Sequence, residues 1–284
     1  MKKIQSIPEI HSYCSEIRSR GQSIGLVPTM GALHEGHLSL ASLAKRSCDI
    51  VIVSIFVNPT QFAPGEDFSR YPRDLEADLK LCESAGVSAV FSPGPIEMYP
   101  ERFATYVSVE QISSVLEGSS RPDHFRGVTT VVAKLFLLTR PQMAFFGQKD
   151  AQQSAVIKKM VKDLNFDVEI VVAPIVREKS GLAMSSRNRY LTNDERTDAA
   201  VLFASLRRAE AMAASGEKNA AKVVAEMTRL IGSKRTASID YVKAVDPESF
   251  NELTTFDAGV PALIAVAVRF GTTRLIDNTV ITLR

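Results

Sequence analysis

Short apolar runs alternate with stretches of helical spacing along the first 174 residues of the chain. Continuous apolar runs suit strands of a parallel sheet covered on both faces, and they lie at residues 23–27, 49–57, 87–91, 144–146 and 168–172, with a further short strand predicted at 105–109. Apolar residues three or four positions apart predict helices, and they lie at residues 6–21, 33–44, 73–84 and 128–138. This alternation predicts an α/β fold with a Rossmann-like, doubly wound parallel sheet.

The remainder of the chain has a different order of elements. Helical patterns come first, at residues 194–214 and 220–231, and strand patterns follow at 239–245, 262–270 and 273–281. Helices followed by antiparallel strands suggest a smaller α+β domain. We place the boundary at Pro174, where no linker composition marks it, and so predict domains of residues 1–174 and 175–284.

Composition excludes several classes of protein. The 284 residues carry a formal net charge of +2 from 34 basic and 32 acidic side chains, so no global field points to nucleic acid or a membrane as partner. Three cysteines without metal-ligand spacing, Cys14, Cys48 and Cys82, suggest reduced thiols that fill the core. With no apolar run of membrane-spanning length and no signal-peptide pattern, we expect a cytoplasmic enzyme.

The junction between the first predicted strand and the second helix carries the most informative chemistry. If that helix begins near Leu33 or His34, then His34 and His37 lie one turn apart beside main-chain N–H groups without intrahelical partners. Gly31 and Gly36 leave room for a ligand to approach the backbone. Because the helix N-terminus also carries partial positive charge, the junction predicts an anion-binding site.

Two other interpretations of the histidine pair are less consistent with the sequence. A zinc site would need His124 or a carboxylate to complete it, and zinc metalloproteases space their histidines at i and i+4 instead of i and i+3. Packing into the core fits poorly, because the pair stands beside Gly36 directly after a strand. Donation to phosphate oxygens as charge develops in a transition state is the chemistry that this position favours.

The same junction carries a resemblance to a known family. Residues 28–38 read Pro-Thr-Met-Gly-Ala-Leu-His-Glu-Gly-His-Leu, which resembles the signature of the pantothenate synthetases, the pantoate–β-alanine ligases, within the nucleotidyltransferases that carry a His-x-Gly-His motif. Residues 147–153, Gly-Gln-Lys-Asp-Ala-Gln-Gln, resemble a second block of the family. Residues 184–187, Met-Ser-Ser-Arg, are similar to the second phosphate-binding element of the superfamily. Taken alone, the second block would be ordinary surface chemistry and residues 184–187 an ordinary polar loop.

The resemblance implies an ATP-dependent condensation of pantoate with β-alanine to pantothenate, through a pantoyl adenylate, with release of AMP and pyrophosphate. It implies ATP as substrate, Mg²⁺, and a homodimer. Residues 1–174 would bind nucleotide and pantoate, and the C-terminal domain would act as a lid. Small molecules would be the only other partners.

Site residues are carried over position by position. The resemblance implies catalytic roles for His37, His34 and Lys149. It implies that ATP is bound by Met30, Gly31, His34, His37, Gly147, Gln148, Lys149, Asp150, Val176, Met184, Ser185, Ser186 and Arg187. It implies that pantoate and β-alanine are bound by Met30, Asn58, Gln61, Phe62 and Gln153.

Within this set, the two glutamines make chemical sense as ligands of pantoate. A carboxylate that must attack a phosphate loses nucleophilicity when an arginine holds it. Neutral amides such as Gln61 and Gln153 orient it and leave it reactive. Met30 and Phe62 would form apolar walls for the gem-dimethyl group, or equally belong to the core.

Two further positions concern the metal and a nearby loop. The family has an acidic position on the helix at 73–84, which implies Asp78 as a Mg²⁺ ligand, whereas Asp74 and Glu76 suit a solvated helix face. Arg121, His124 and Arg126 lie in a loop that resembles that of the family, although Asp123 stands where glycine is common.

Three alternative functions remain in view. A nucleotidyltransferase acting on a phosphorylated acceptor would share the histidine motif but would favour cationic ligands over Gln61 and Gln153. A non-catalytic nucleotide-binding regulator would not need His34, His37, Lys149 and Arg187. An aminoacyl-tRNA synthetase would need a recognition domain and a basic surplus, and neither is present in this sequence.

Overall fold

A six-stranded parallel sheet organises the first part of the chain in the computed structural model, which describes residues 1–283. The strands are β1 (Lys2–Ile4), β2 (Ile24–Thr29), β3 (Ile50–Ile55), β4 (Ala89–Phe91), β5 (Met143–Gly147) and β6 (Glu169–Ala173). Their spatial order is β1-β4-β3-β2-β5-β6, with parallel pairing throughout. The order reverses between β2 and β5, which confirms the predicted doubly wound sheet and places a topological switch point at the end of β2.

Helices cover both faces of this sheet. They are α1 (Ile7–Ser19), α2 (Glu35–Ser47), α3 (Leu75–Ser84), α4 (Pro95–Met98), α5 (Glu117–Ser120), α6 (His124–Thr139) and α7 (Ala151–Asp163). Successive β2 residues alternate between the two faces: Leu26 packs in the core cluster that contains α6 residues, and Val27 packs in the cluster that contains α2 residues. The continuous apolar run of β2 therefore reflects burial on both faces.

One predicted strand is wrong. Residues 105–109 form no strand. The main chain of Val107 is bound by α6 threonines instead: its N–H donates to Thr130 Oγ1 at 3.0 Å and its carbonyl accepts from Thr129 Oγ1 at 2.6 Å. At Val107, side-chain hydroxyls take the place of a neighbouring strand as main-chain partners.

Several boundaries also differ from the prediction. Helix α6 begins at His124 instead of Val128, after Asp123 in the left-handed region at φ +67°. Helix α3 begins at Leu75, because Asp74 caps it by accepting the N–H of Ala77. The short edge strand β1 was not predicted, since two of its three residues are exposed lysines.

The second part of the chain contains α8 (Asn193–Ala199), α9 (Val201–Ala214), α10 (Ala220–Gly232), β7 (Ala237–Val245), β8 (Pro261–Phe270) and β9 (Thr273–Thr282). The three strands form an antiparallel sheet in sequence order. A single core joins this sheet to α9 and α10, which confirms the predicted α+β architecture. The one helix predicted over residues 194–214 is two helices that meet at Ala200.

Contacts along the chain divide it into two compact units. The first comprises Met1–Gln148 and Gln152–Pro174, and the second comprises Lys149–Ala151 and the chain from Ile175 onwards. Cys14, Cys48 and Cys82 are buried in the first unit, in agreement with a role as apolar filler. No helix within residues 1–283 is long and apolar enough to cross a membrane.

Candidate active site

The loop that leaves β2 at the switch point is held in a strained conformation. Gly31 has φ +82° and Ala32 has φ +50°, a region that is costly for a residue with a Cβ atom. A Cβ added to Gly31 would lie 2.8 Å from Asp78 Oδ2 and 3.1 Å from Ile55 Cγ2. Glycine is therefore required at position 31 on both conformational and steric grounds.

Asp78 holds this loop from beneath. Its side chain is buried, at 3% relative exposure. Its Oδ2 accepts the main-chain N–H of Ala32 at 2.9 Å, and its Oδ1 accepts that of Leu33 at 2.7 Å. Hydrogen bonds to an ionised group are among the stronger ones in proteins, so the carboxylate stabilises the turn that leads into α2.

His34 and His37 form a reciprocal cap at the start of α2. His34 is the N-cap residue, and its Nδ1 accepts the N–H of Gly36 at 3.2 Å. The Nδ1 of His37 accepts the N–H of His34 at 3.3 Å. Because each Nδ1 is an acceptor, the neutral form of each ring carries its proton on Nε2. The cap thus sets the tautomer of both imidazoles and makes each Nε2–H a donor.

Asn58 and Gln61 lie beyond β3 and are both buried, at 1% and 8% relative exposure. Asn58 Nδ2 donates to Gln61 Oε1 at 3.0 Å and to the carbonyl of Gly127 at 3.1 Å. Asn58 Oδ1 accepts from Tyr99 Oη at 2.8 Å. Gln61 Nε2 donates to the sulfur of Met30 at 3.0 Å. The predicted pantoate ligands Met30, Asn58 and Gln61 are therefore brought into direct contact.

The carbonyl of Gln61 is bound by a second group of residues. His124 Nδ1 donates to it at 2.8 Å and Arg121 Nη2 at 3.3 Å. Arg121 also forms a bidentate pair with Glu66, at 2.6 and 2.7 Å. Gly127 completes the packing, since a Cβ there would lie 2.4 Å from the carbonyl of Thr60.

Burial and the neighbouring guanidinium of Arg121 keep His124 neutral. Burial, aided by the Arg121 guanidinium, lowers the pKa of His124 to about 4. His124 Nε2 lies 3.2 Å from Arg121 Nη1, so it accepts while Nδ1 donates to Gln61. The ring is therefore neutral near pH 7 and has both nitrogens paired.

The other predicted pantoate ligands are placed less closely. Phe62 is half-buried and packs edge-on against Phe68 and Tyr71, with ring centroids 5.3 and 6.0 Å away. Gln153 is partly exposed on α7. Its neighbour Gln152 is buried and instead binds the main chain of Ile112, Val115 and Glu117.

The residues at the end of β5 and directly after it fall in both units. Gly147 and Gln148 belong to the first unit, and Gly147 has open space where a Cβ would stand. Lys149 and Asp150 belong to the second unit. Lys149 Nζ lies 3.5 Å from Asp150 Oδ1, a loose pair that leaves the ammonium group able to exchange partners.

Val176 and Met184 face each other across a short hairpin of the second unit. The N–H of Met184 donates to the carbonyl of Val176 at 2.9 Å. Arg177 and Ala183 form an antiparallel β-bridge between the two arms of the hairpin. These two predicted ATP-binding positions are therefore neighbours, and the polar segment at 184–187 begins where the hairpin ends.

Ser185, Ser186 and Arg187 open a short 3-10 helix that runs from Ser186 to Tyr190. Ser185 is its N-cap and accepts the N–H of Arg187 at 3.3 Å. The segment is fastened by Asn188, whose Nδ2 donates to Glu178 Oε1 at 2.7 Å and to the carbonyl of Ala183 at 3.0 Å. The predicted phosphate-binding segment is an ordered turn of the second unit.

The side chains of the site also bear on Mg²⁺. This ion keeps several waters and binds through one or two carboxylates together with substrate phosphates. Within residues 1–283 no three His, Cys, Asp or Glu side chains form a metal-binding cluster. The contacts of Asp78 with Ala32 and Leu33 assign it to the loop, and its role towards Mg²⁺ stays a prediction.

Sequence patterns missed the residues that hold the site from a distance. The brace from Asp78, the bonds from Arg121 and His124 to Gln61, and the bond from Tyr99 to Asn58 all join segments far apart in sequence. The resemblance to the family pointed to the Arg121–His124 loop without its function, and to Asp78 as a metal ligand without its contacts with the loop.

Comparison with known proteins gives one consistent result. A family model described as pantoate-beta-alanine ligase matches residues 2–280. Pantothenate synthetases from Acetivibrio thermocellus and Moorella thermoacetica are each 53% identical over 281 residues, which is 99% of this chain and of each relative.

Solved structures agree with the sequence relatives. Pantothenate synthetase from Thermus thermophilus superposes with a TM-score of 0.92 at 45% identity, covering 98% of this chain and 99% of that one. Pantoate-beta-alanine ligase from Francisella tularensis, complexed with beta-gamma ATP and beta-alanine, gives a TM-score of 0.82 at 37% identity, covering 98% and 97%.

Proposed function

Because the chain belongs to the pantoate–β-alanine ligase family, we propose that it joins pantoate to β-alanine with ATP in two half-reactions. In the first, the carboxylate of pantoate attacks the α-phosphorus of Mg-ATP, giving pantoyl adenylate and pyrophosphate. In the second, the amine of β-alanine attacks the acyl carbon, the C–O bond to AMP breaks, and the amine loses a proton. The products are pantothenate and AMP, and the enzyme forms no covalent intermediate.

The observation that carries this proposal is the reciprocal cap of His34 and His37. Each ring accepts a main-chain N–H through Nδ1 and so offers Nε2–H as a donor. Two donors at a helix N-terminus suit the triphosphate, and they stabilise it most as negative charge moves onto the departing pyrophosphate. Lys149 and Arg187 add positive charge for the same phosphates, with Ser185 and Ser186 donating from their hydroxyls.

Nucleotide selection rests on the remaining predicted ATP ligands. Gly147 has open space beside its Cα atom, which supports close approach of the nucleotide to the main chain at Gly147 and Gln148. Asp150 accepts from the ribose hydroxyls. The main chain of the hairpin at Val176 and Met184 binds adenine, and the main chain at Met30 and Gly31 faces the phosphates.

Pantoate is oriented by neutral groups. The Gln61 amide is held by Asn58 and Met30, so little side-chain entropy is lost when it binds substrate. Gln153 provides the second amide, while Met30 and Phe62 contact the methyl groups. Because neutral amides bind the attacking carboxylate in this proposal, the carboxylate keeps its nucleophilicity.

Four finer features complete the proposal; the cytoplasmic location rests on the composition of the chain, and the other three rest on the family. Mg²⁺ enters as the counter-ion of ATP, with Asp78 as its predicted protein ligand. The protein acts as a homodimer, and it works in the cytoplasm. The second unit, from Ile175 onwards, serves as a lid that excludes water from the adenylate.

The test is release of AMP and pyrophosphate by the purified protein with Mg-ATP and pantoate, with and without β-alanine. Multiple-turnover AMP release that needs both organic substrates, with pantothenate as product, is the expected result. Pyrophosphate release with pantoate alone, limited to one equivalent per site, is expected for a trapped adenylate. Consumption of ATP only with a phosphorylated acceptor would instead support a nucleotidyltransferase, and no consumption would support a nucleotide-binding regulator.

A further inference from the structure

Two adjacent residues of β9, Asp277 and Asn278, are polar and almost fully buried. Their relative exposures are 2% and 4%. Successive side chains of a strand leave on opposite faces, so the two residues reach different neighbours. Buried polar groups are costly unless they are paired, and the partners of these two lie in segments that the proposed function assigns to ATP.

Asp277 holds the hairpin that carries Val176 and Met184. It forms a bidentate ion pair with Arg177, with Nη1–Oδ2 at 2.6 Å and Nη2–Oδ1 at 3.0 Å. Burial raises the pKa of Asp277, and the Arg177 guanidinium opposes that shift. Bidentate geometry fixes the orientation of a guanidinium as well as its position.

Arg177, oriented by Asp277, also binds the tip of the hairpin. Its Nη1 also donates to the carbonyl of Gly181 at 3.0 Å, and its guanidinium lies 4.3 Å from the ring centroid of Phe203. A Cβ on Gly181 would lie 2.3 Å from Phe203, so the tip packs closely on α9. Both ends of the hairpin are therefore fixed relative to β9.

Asn278 holds a different segment. Its Nδ2 donates to the main-chain carbonyl of Lys149 at 3.0 Å. Lys149–Ala151 accordingly groups with the second unit, while Gln148 and Gln152 on either side group with the first. The main chain of Lys149 is thus fastened to the same strand as the hairpin.

We propose that Asp277 and Asn278 are positioning residues that hold the adenine-binding hairpin and the Lys149 main chain in register with each other through β9. This inference rests on the proposed function, because only there do the hairpin and Lys149 bind the same ATP molecule. Preorganised groups are worth most where charge develops in the transition state. Loss of the register weakens ATP binding and slows adenylate formation, while pantoate binding in the first unit is left intact.

The experiment compares Asn278→Ala and Asp277→Asn with Thr279→Val in the full chain. Thr279 is the next residue on β9, and its Oγ1 donates at 2.6 Å to Oε1 of Glu210 on α9, a residue outside both the hairpin and the Lys149 segment. It is a matched control for loss of a β9 side-chain hydrogen bond. Thermal stability, kcat, and KM for ATP and for pantoate are measured for each variant.

Asn278→Ala and Asp277→Asn are expected to raise KM for ATP on the order of tenfold and to lower kcat, with KM for pantoate changed less than about twofold. Thr279→Val is expected to keep the kinetics of the unmodified protein, at a similar loss of stability. Hydrogen exchange should increase at residues 147–151 in Asn278→Ala and at residues 176–187 in Asp277→Asn.

The outcomes separate the two proposals. Absence of ATP- and pantoate-dependent turnover in the unmodified protein would defeat the proposed function. Normal turnover together with an unchanged KM for ATP in Asn278→Ala would overturn the positioning role alone. Equal rises in both KM values, shared by Thr279→Val, would also overturn it, since they indicate general loosening. If Asp277→Asn fails to fold because Arg177 loses its partner, Asn278→Ala leaves the ion pair intact and decides the question.

Discussion

His37 accepts the main-chain N–H of His34 through Nδ1 at 3.3 Å, and the two ring centroids lie 4.1 Å apart. One arrangement thus serves two purposes. It caps α2, which would otherwise begin with unpaired N–H groups, and it fixes the tautomer that makes Nε2 a donor. Structural and chemical effects of either histidine are separable by substitutions that keep the cap.

Replacing His34 by asparagine should remove catalysis without removing the cap. His34 has the extended conformation of an N-cap residue, and asparagine is among the best N-cap residues. His34→Asn should therefore keep the stability of the original chain, whereas His34→Ala should lose about 1 kcal/mol. Both should slow adenylate formation on the order of 100-fold.

Urea unfolding and single-turnover pyrophosphate release measure these two effects. His37→Gln offers the same comparison at the other ring, because glutamine suits the third position of a capping box. A stable His34→Asn variant with near-normal turnover would mean that the ring contributes only its capping bond.

Asp78→Asn tests the two hydrogen bonds by which Asp78 supports the loop between β2 and α2. Each carboxylate oxygen of Asp78 accepts one main-chain N–H, from Ala32 or Leu33, so asparagine would place an NH2 donor opposite one of these N–H groups. The free energy of unfolding should fall by about 2 kcal/mol, and KM for ATP should rise, because the loop that carries His34 loses its support. Asp74→Ala is the control: it removes a cap of the same helix, at about 1 kcal/mol, with unchanged kinetics.

Mg²⁺ titration distinguishes this brace from the predicted metal role of Asp78. Loss of the hydrogen bonds from Asp78 to Ala32 and Leu33 lowers the free energy of unfolding even without nucleotide. Added Mg²⁺ does not restore that free energy. If high Mg²⁺ restores activity and stability is unchanged, Asp78 acts through the metal and the loop does not depend on it.

The sheet was predictable because burial on both faces leaves a local mark in the sequence. The runs of β2, β3 and β5 are almost wholly apolar, as strands covered by helices must be. The pair His34 and His37 was predictable for a related reason, since its two members lie within one turn of the strand end. Local patterns report local constraints.

Contacts between distant segments leave no such mark. Asp78 lies 46 residues from Ala32, His124 lies 63 residues from Gln61, and Asp277 lies 100 residues from Arg177. The wrong strand at 105–109 has the same origin, because the α6 threonines that bind Val107 lie more than 20 residues further along. Extended backbone was predicted there, and the partner that binds it was not.

The ionisation of His124 predicts a pH dependence of stability. Burial first, and Arg121 second, lower its pKa to about 4, against about 6.5 in an unfolded chain. Between these values the unfolded chain binds the proton more readily than the folded one, so the contribution of His124 is fully present above about pH 6.5 and is lost as pH falls towards about 4. The loss amounts to about 3 kcal/mol.

His124→Asn isolates this contribution. The asparagine amide can donate to the Gln61 carbonyl as Nδ1 does, and it does not titrate. Unfolding free energies of both proteins measured from pH 7.5 to pH 4.5 share the titration of all carboxylates, so their difference reports His124. The free energy of unfolding of the unmodified chain, relative to that of His124→Asn, should fall as the pH falls. A constant difference would show that the ring has the same pKa in the folded and unfolded chains.

Gln152 and Gln153 are neighbours with opposite predicted roles. Gln152 is buried at 5% relative exposure and binds the main chain of Ile112, Val115 and Glu117. Gln152→Ala should therefore lower the free energy of unfolding by about 2 kcal/mol or more, because these main-chain groups lose their partner. At permissive temperature the folded fraction should keep its KM for pantoate.

Gln153→Ala should behave in the opposite way. Gln153 is partly exposed, so its truncation should change stability by less than about 0.5 kcal/mol. If its amide orients the pantoate carboxylate, KM for pantoate should rise several-fold more than KM for ATP. The pair of variants controls for position on α7, and a larger effect on ATP than on pantoate would move Gln153 out of the pantoate site.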